Sequence, residues 1–486
     1  MPYLVHERIK PISSMHVTDG VSGAALDLGQ TGSLSPLSKM VELSNLQQGL
    51  LRFLDDRQSS GHVDLQVWDG TKVEGIEPDA ATPAQSSSHS APAPAPYVDA
   101  WPILHLSSKD SAVQHRLRPR LLIGADGPNS PVRKYAGIQK YGWAYDGFKG
   151  LVGTMRFDAS QSRGKTDTIA YQRFLPTGTI AWLPLSDSAA SMVWTLPPHL
   201  AQAFTELHRA TPDGSRSALS DLVTAAWRLP WSSLQHLIQL IVHGVQGEAV
   251  RQEVAHLLQT SSGLVNEDEC PPAVDVGIDG RSVASFPLQM AQAEAYLGSS
   301  LQTSPSGSVL PEAMKLLRSA TTSAYSIAGG KAQNDQVSAV ARSRTVLVGD
   351  AAHSIHPLAG QGLNLGLADA RSLCSTLSKA TEMGGDWGSH DSLKAYEDDR
   401  WMANQLVITG VDRLHYIYTA PVPTREGGEA RPGLLGTALD TFYGAKLWAR
   451  STGVEVLNEL DFVKSRMQSF AGSEPSDTRA SHRKHN

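Results

Sequence analysis

The chain has 486 residues, which is enough for two or three domains with a sizeable core. Its composition, 41% hydrophobic and 19% charged, is ordinary for a globular protein, and a formal net charge of −6 offers no basic field for nucleic acid. The two cysteines, Cys270 and Cys374, lie far apart in sequence, so neither a disulfide framework nor a cysteine-rich metal site is expected, and a reducing or neutral compartment fits best. No apolar stretch approaches the roughly 20 residues that a membrane-spanning helix needs.

The first hundred residues predict short strands, one helix and an insertion. Ser14–Thr18 has the residue types of a strand. Apolar residues at spacings of three and four, after a Ser-Pro pair, predict a helix over 35–56. Alternation over Val63–Val67 predicts another strand, and the Ala-, Pro- and Ser-rich run over 78–96 predicts a disordered surface insertion.

A buried strand followed by a tight turn is predicted at 121–133, which reads Leu-Leu-Ile-Gly-Ala-Asp-Gly-Pro-Asn-Ser-Pro-Val-Arg. Three aliphatic residues predict the strand, which stops at a glycine, and Asp126-Gly127 is a typical turn pair. By itself, such a pair is usually no more than a turn.

Four segments rich in Val, Ile, Thr, Tyr and Trp predict successive strands of an antiparallel sheet, which could cover a cofactor and form a substrate pocket. Residues 200–258 predict helices broken at Pro212 and Pro230, and Arg281–Leu288 predicts a further strand. The four segments are Tyr145–Phe157, Thr168–Leu175, Gly178–Pro184 and Ala190–Thr195.

The most informative pattern is a strand, a turn and a helix within 344–377. The β-branched run Thr345–Val348 predicts a buried parallel strand, and apolar residues spaced by four, three and seven from Leu363 predict the helix. Asp350 follows the strand, and the glycines before the helix let a ligand approach the backbone. Because the helix N-terminus offers unpaired N–H groups and a positive dipole end, the pattern suits a hydroxyl-bearing cofactor with a phosphate. Long helices are also predicted over Tyr396–Tyr418 and Pro432–Met467.

This pattern also resembles the second FAD-binding motif of the flavin-dependent aromatic hydroxylases. The resemblance implies that Asp350 bonds the ribityl chain of FAD and that the helix start lies under the pyrimidine edge of the flavin ring. The cofactor-binding residues implied here are Gly349, Asp350, Pro357, Gly360, Gln361, Gly362, Leu363 and Asn364.

The turn at 121–133 resembles the middle motif of the same family. The resemblance implies that Asp126 lies near the FAD pyrophosphate in a tight turn, and that Asp126, Gly127 and Arg133 are cofactor-binding residues. A role for Asp126 in the turn alone stays open as the alternative. The two motifs occur in the family's order and about 220 residues apart, which makes coincidence improbable.

Further segments resemble the mitochondrial ubiquinone-biosynthesis monooxygenases within that family, and the resemblance spans about Lys10 to Met467. It implies FAD, hydroxylation of a polyprenylated phenol with O₂, and electrons from a ferredoxin with its reductase or from NAD(P)H. It also implies association with other ubiquinone-biosynthesis enzymes and a peripheral position on the matrix side of the mitochondrial inner membrane. The segments are 171–176, 183–187, 193–194, 286–288, 396–404 and 449–460.

The sequence contains no G-x-G-x-x-G turn, although the resemblance implies one in an N-terminal βαβ unit that holds the ADP half of FAD. The chain is therefore expected to begin after that unit, through a truncated gene model or through loss of part of the cofactor site, and no targeting segment is recognised. Taken alone, it is expected to bind FAD poorly and to expose apolar sheet surface where the missing strand would pair. A non-catalytic scaffold of the ubiquinone-synthesis complex, and a flavin hydroxylase with another aromatic substrate, stay open as alternatives.

We therefore expect an α/β protein in which a Rossmann-like FAD-binding domain, without its N-terminal βαβ unit, is interleaved with an antiparallel substrate domain. No catalytic acid or base is expected, because the cofactor carries the chemistry while the protein orients the ring and excludes water. A metal site of Asp350, His353 and His356 is a minor alternative, and no metal is expected. The expected parts are 1–34, the start of the substrate-domain sheet; 35–140 and 341–380, the FAD-binding domain; 141–340, the substrate domain; 381–470, C-terminal helices; and 471–486, a disordered tail.

Overall fold

A computed structural model describes residues 2–29, 36–61, 64–78, 100–108, 111–162, 168–211, 216–245, 247–261, 266–298, 339–355 and 361–419. Pro357 and Gly360 lie outside these residues, as do the helix predicted over Pro432–Met467, the tail, and all but the first residue of the insertion predicted over 78–96.

Strands and helices are numbered in chain order. The strands are β1 Ile9–Ile12, β2 Ser14–Asp19, β3 Ala25–Gly29, β4 Ser38–Val41, β5 Thr71–Pro78, β6 Pro102–Ser108, β7 Ser111–Leu117, β8 Leu122–Gly124, β9 Lys140–Arg156, β10 Ile169–Leu175, β11 Gly178–Pro184, β12 Ala189–Leu196, β13 Gly277–Ile278, β14 Ala284–Ala293, β15 Thr345–Leu347 and β16 His353–Ser354. The helices are α1 Leu43–Ser59, α2 Pro131–Tyr135, α3 Pro198–Arg209, α4 Ala218–Arg228, α5 Trp231–Val242, α6 Gly247–Thr260, α7 Gly362–Glu382 and α8 His390–Thr419.

A nine-stranded sheet forms the largest layer, in the order β16-β14-β9-β12-β11-β10-β2-β3 with β13 beside β9. Its pairs are antiparallel except for β10 with β2, which run parallel. One face packs against helices α3 to α6 in an apolar core that contains the fully buried Trp182 and Trp194. Alternate side chains of a strand point to opposite faces of the sheet, so the large apolar residues of each predicted strand lie together on this core face. The predicted antiparallel sheet is confirmed.

A short parallel pair, β8 and β15, forms a second layer. It shares an apolar core with the three-stranded sheet β5-β6-β7 and with helices α7 and α8. The buried parallel strand predicted over 345–348 and the helix predicted after it are therefore confirmed. Ile123 of β8 is 45% exposed, and within the described ranges β8 is paired along one edge only. From the sequence, exposed apolar sheet surface was expected where the strand of the missing N-terminal unit would pair.

Of two predictions for the N-terminal part, one is right except for the start of its helix and the other is wrong. The helix expected over 35–56 begins only at Leu43, because Ser38–Val41 forms strand β4 and pairs with β1. The strand expected over Val63–Val67 is absent from the described residues there, and the strand lies later, at Thr71–Pro78, where it pairs with β6. In both places pairing with a distant strand decided the structure, and local patterns carry no signal for it.

Helix α8 connects the two layers. It packs against α7 beside the parallel strands, and its Val411 lies in an apolar cluster with Val17 and Phe174 of the large sheet. The helix predicted over Tyr396–Tyr418 is therefore confirmed as part of a longer one. Among the described residues, none of the helices has the length and apolar character to cross a membrane.

The loop after α7 is tied to the start of β15 by one carboxylate. Asp386 accepts hydrogen bonds from Arg344 Nη2 at 2.5 Å and from Arg120 Nε at 2.8 Å. Burial alone would raise its carboxyl pKa, but these bonds and the Gly388 N–H lower it from 3.8 to about 2. A lowered pKa means that this contribution to stability is complete above pH 3.8 and is lost as the pH falls towards 2.

We therefore expect Asp386→Asn to lower the free energy of unfolding near neutral pH, and the difference from wild type to shrink as the pH falls from 4 to 2. Urea unfolding at pH 6 and at pH 3 measures both. The exposed Asp55 of α1 provides the control, since Asp55→Asn should stay within about 0.5 kcal/mol of wild type at either pH. A deficit of Asp386→Asn that is equally large at both pH values would contradict the assigned cause.

Candidate functional site

The two turns singled out in the sequence lie side by side. Strand β8 pairs in parallel with β15, with Gly124 opposite Leu347. The carboxyl ends of both strands therefore meet at one edge of the sheet, and the Val348 N–H continues the pairing by donating to the Gly124 carbonyl at 3.0 Å. Ligands of open α/β sheets bind outside this edge.

Asp126 shapes the first turn. Its carboxylate accepts a hydrogen bond from the Val132 N–H at 3.1 Å, and the Ser130 hydroxyl accepts one from the Arg133 N–H at 2.9 Å. Both bonds satisfy N–H groups at the start of α2, as N-terminal capping requires. Gly127 has φ of +83°, a left-handed conformation that side chains rarely adopt. The turn role of Asp126 is thus visible in the structure, and its contact with a cofactor stays a prediction.

Arg133 joins the two turns. Its side chain is buried, and the guanidinium donates to the Ala351 carbonyl at 2.8 Å and to the Pro128 carbonyl at 2.9 Å. Burial lowers the pKa of this guanidinium, and the nearby Asp126 opposes that shift. Arg133 was expected among the cofactor-binding residues, and in the structure its hydrogen bonds go to backbone carbonyls of both loops.

Lys140, which the sequence did not single out, lies at the same junction. Its ammonium also donates to the Pro128 carbonyl, at 3.2 Å. Burial lowers the pKa of Lys140 and so does the charge of Arg133, while Asp350 acts in the opposite direction. Two cations and two carboxylates therefore surround the point where the turns meet.

The second turn presents an exposed acid. Gly349 has φ of +58°, and with Asp350 and Ala351 it forms a single helical turn closed by a hydrogen bond from the Ala352 N–H to the Gly349 carbonyl at 2.8 Å. Asp350 is exposed. A Cβ atom added at Gly366 of α7 would come 3.4 Å from the Gly349 Cα, so this turn packs directly on the helix.

Helix α7 begins beside this turn. Gln361 is its N-cap residue and makes no capping bond with its own side chain, which accepts instead from the Asn364 side chain at 3.3 Å. The first N–H groups, beginning at Gly362, have no partner within the helix. Leu363 is 47% exposed, so an apolar side chain stands next to these donors. Such a helix start can bind an electron-rich group beside a flat apolar one.

These residues fit the ribityl chain and ring end of FAD. An exposed carboxylate can accept hydrogen bonds from ribityl hydroxyls, and the α7 N-terminus can face the pyrimidine edge of the ring. The residues that would hold this end are Gly349, Asp350, Gln361, Gly362, Leu363 and Asn364. Pro357 and Gly360, predicted for the same site, lie outside the described residues.

The large sheet adjoins this site through β16, which follows the Asp350 turn directly. His353 and Ser354 pair with Gln292 and Ala291 of β14, so a residue range that we assigned to the cofactor domain adds a strand to the large sheet. Ile355, the next residue, packs in the apolar cluster around Val17. The sheet face that carries this cluster is therefore the one beside the cofactor turn.

The same face carries small apolar residues that are only half-buried. Gln172 is paired with Val17 and with Ala181, and Ala181, Val193 and Val152 follow in register across β11, β12 and β9. Directly paired residues share a face, so these side chains lie on the side of Val17, away from helices α3 to α6. Ala181, Val193 and Val152 are of intermediate exposure. We call these three residues the open strip.

The metal alternative of Asp350, His353 and His356 stays untested, because His356 lies outside the described residues. Among the described residues, no three His, Cys, Asp or Glu side chains are placed to hold a metal ion. His353 is buried and its Nε2 lies 2.6 Å from Asp369 Oδ2 of α7. Asp369 was not singled out from the sequence. A signal was present, because Asp369 lies four residues from both Leu365 and Leu373 and so shares their buried face of the helix.

The chain matches the family described as FAD binding domain over residues 103–236 and 319–410. It is also similar to proteins named "Ubiquinone biosynthesis monooxygenase COQ6, mitochondrial". The protein of Schizosaccharomyces pombe is 29% identical over 417 residues, which cover 86% of this chain and 70% of that protein. The protein of Homo sapiens is 32% identical over 381 residues, covering 78% of this chain and 62% of that protein.

Two solved structures are similar in outline. One is PqsL, a probable FAD-dependent monooxygenase from Pseudomonas aeruginosa, with a TM-score of 0.45 and 17% identity over 86% of this chain and 81% of that one. The other is the p-nitrophenol 4-monooxygenase PnpA from Pseudomonas putida, with a TM-score of 0.49 and 13% identity over 97% of this chain and 84% of that one.

Proposed function

Because the chain belongs to the FAD-dependent monooxygenases, the family of flavin hydroxylases, we propose that it hydroxylates the aromatic ring of a polyprenylated phenol in ubiquinone biosynthesis. The observation that carries this proposal is the meeting of the Asp126 and Asp350 turns at one sheet edge, beside the open strip. The relatives named ubiquinone biosynthesis monooxygenases, which resemble the chain along most of its length, support a substrate from that pathway.

Reduced FAD supplies the chemistry that activates O₂ and delivers one oxygen atom to the ring. The chain's own groups would bind and orient the cofactor and the substrate. Asp350 would accept hydrogen bonds from the ribityl chain, and the N–H groups at the start of α7 would stabilise negative charge at the pyrimidine edge. Arg133 keeps the two turns together, so that these groups are already in place when the cofactor binds.

The large sheet provides the surface for the substrate. The open strip of Val152, Ala181 and Val193 is apolar and lies on the face beside Ile355, so an aromatic ring resting there would be shielded from water. Exclusion of water limits side reactions that would release the activated oxygen as hydrogen peroxide without hydroxylating the ring. The fully buried opposite face, packed on helices α3 to α6, gives the strip a rigid support.

A polyprenylated substrate is carried by a bilayer. We therefore place the protein at the matrix side of the mitochondrial inner membrane, attached peripherally and in contact with other ubiquinone-biosynthesis enzymes. Electrons would come from a ferredoxin with its reductase or from NAD(P)H. The mitochondrial names of the relatives support the compartment.

Complementation tests the proposal. Expressed from its complete gene in a respiration-deficient strain that lacks its ubiquinone hydroxylase, the protein should restore ubiquinone and remove the accumulated phenol, as followed by mass spectrometry. Asp350→Ala should restore less, and Asp391→Ala, at a fully exposed side chain, should restore as much as wild type. A flavin-loaded protein that leaves the phenol unconverted would mean a hydroxylase of another aromatic substrate. A protein that never takes up FAD would mean a scaffold.

A further inference from the structure

Asp369 of α7 is fully buried and both of its carboxylate oxygens are bonded. Oδ2 accepts from the Gly349 N–H at 3.0 Å and lies 2.6 Å from His353 Nε2. Oδ1 accepts from Arg400 Nε at 3.0 Å and from Asn404 Nδ2 at 3.0 Å. One carboxylate thus faces the cofactor turn with one oxygen and helix α8 with the other.

The charge of this carboxylate is maintained by its partners. Burial alone would raise the pKa of Asp369, but the hydrogen bonds from His353, Asn404 and Arg400 hold it below its usual value. Arg400 supplies the compensating charge, and its Nη2 also donates to Asn404 Oδ1 at 2.6 Å. A buried carboxylate in such a cluster costs stability when either partner is removed.

The bond to Gly349 is the one that bears on the cofactor. Gly349 precedes Asp350, and its left-handed conformation is fixed at both ends, since its N–H donates to Asp369 and its carbonyl accepts from the Ala352 N–H at 2.8 Å. The direction in which Asp350 points follows from these two bonds. Without Asp369, the Gly349 N–H would lose its carboxylate acceptor, and only the bond from the Ala352 N–H would hold the turn.

We infer that Asp369 is a positioning residue for FAD: its carboxylate locks the Gly349 turn so that Asp350 faces the ribityl chain. This inference rests on the proposed use of FAD and is independent of which aromatic compound is hydroxylated. Arg400 holds the carboxylate from the side of α8, whose Val407 and Val411 pack beside the large sheet. Helix α8 therefore contacts both the carboxylate that holds the cofactor turn and the large sheet proposed to bind the substrate.

A double-mutant cycle tests whether Asp369 acts through Asp350. In the full-length polypeptide, Asp369→Asn should weaken FAD binding by about tenfold or more, as loss of a hydrogen bond to a charged group does. In an Asp350→Ala background the same change should weaken binding by less than about twofold, because the group that it positions is gone. FAD affinity is measured by quenching of flavin fluorescence.

Asn404→Ala is the matched control for stability. It removes a buried partner of Oδ1 and leaves the bonds from Gly349 and His353 to Oδ2 in place. It should lower the melting temperature about as much as Asp369→Asn while changing FAD affinity by less than about threefold. Hydrogen exchange of the peptide that spans 348–352, measured without FAD, should accelerate in Asp369→Asn and not in Asn404→Ala.

Three results would overturn the inference. One is additive effects of Asp369→Asn and Asp350→Ala on FAD affinity. Another is an equal loss of FAD affinity in Asn404→Ala and Asp369→Asn, which would mark a general structural role. The third is unchanged exchange of the 348–352 peptide in Asp369→Asn. Failure of the proposed ubiquinone reaction has a different signature, since FAD would still bind and respond to these changes.

Discussion

Replacing Arg133 with methionine is expected to lower the free energy of unfolding by about 2–4 kcal/mol. Its guanidinium is buried and donates to the carbonyls of Ala351 and Pro128, in two different loops. Hydrogen bonds to charged groups contribute about 1.5–3 kcal/mol each, and part of the loss is returned because a buried cation no longer has to be desolvated. Methionine fills similar space without a donor.

Urea unfolding followed by circular dichroism measures this change. Arg52 of α1 is exposed, and Arg52→Met should stay within about 0.5 kcal/mol of wild type. Arg133→Lys should be intermediate, because an ammonium cannot reach both carbonyls with the geometry of a guanidinium. If Arg133→Met proved as harmless as Arg52→Met, the two turns would not depend on this side chain. The loss should extend to FAD affinity, since the turns would separate.

Asp350→Ala is expected to weaken FAD binding by roughly 1.5–3 kcal/mol in a full-length polypeptide, which is a factor of about 10 to 150 in the dissociation constant. The carboxylate is exposed at the sheet edge, and the structure around it is held by other residues, so its removal should leave the fold intact. Stability should change by no more than about 0.5 kcal/mol, as for other exposed side chains.

Isothermal titration with FAD gives the affinity, and thermal unfolding without FAD gives the stability. The control is Asp391→Ala, whose side chain is fully exposed at the start of α8. Unchanged FAD affinity in a folded Asp350→Ala protein would remove this residue from the site. The pattern expected for Arg133, loss of stability and of affinity together, contrasts with the pattern expected for Asp350, loss of affinity alone.

The site combines buried residues that hold the turns with accessible groups that can bind a ligand. Arg133 and Asp369 are buried and bond backbone groups of the turns, while Asp350 and the start of α7 remain accessible. Binding groups held by buried partners need no rearrangement when a ligand arrives, and this lowers the entropic cost of binding.

Local patterns were sufficient for much of the fold. Alternation and β-branched content placed β10, β11 and β12 within about one residue of their observed bounds, because each strand buries one face on the same helical layer. The strand over 345–347 and helix α7 were likewise readable, since the strand is buried on both sides and the helix has one apolar stripe. The α/β class followed from these elements, and the FAD motif followed from the resemblance of the strand, turn and helix to a known family.

Pairing between strands that lie far apart along the chain could not be predicted from the sequence. Strand β4 lies where a helix was expected, because Ser38–Val41 pairs with Ile9–Ile12 across an intervening hairpin. A four-residue segment with helical spacing carries too little information to distinguish the two outcomes. For the same reason the strand expected at Val63–Val67 was misplaced, since the register of β5 is set by β6.

The sequence by itself determined the local elements of the site, namely two strands that end at glycine turns and the helix that follows the second, because these depend on residue types at fixed short spacings. That these groups meet an FAD is a prediction from the family resemblance. Only the tertiary structure decided how these groups are held. Asp126 caps α2, Arg133 joins two loops, and Asp369 fixes Gly349 from the middle of α7. The hydrogen-bond partner of a buried charge can lie far away along the chain, as Ala351 lies 218 residues from Arg133. The need to satisfy that charge is met by the tertiary structure and leaves no local sequence pattern.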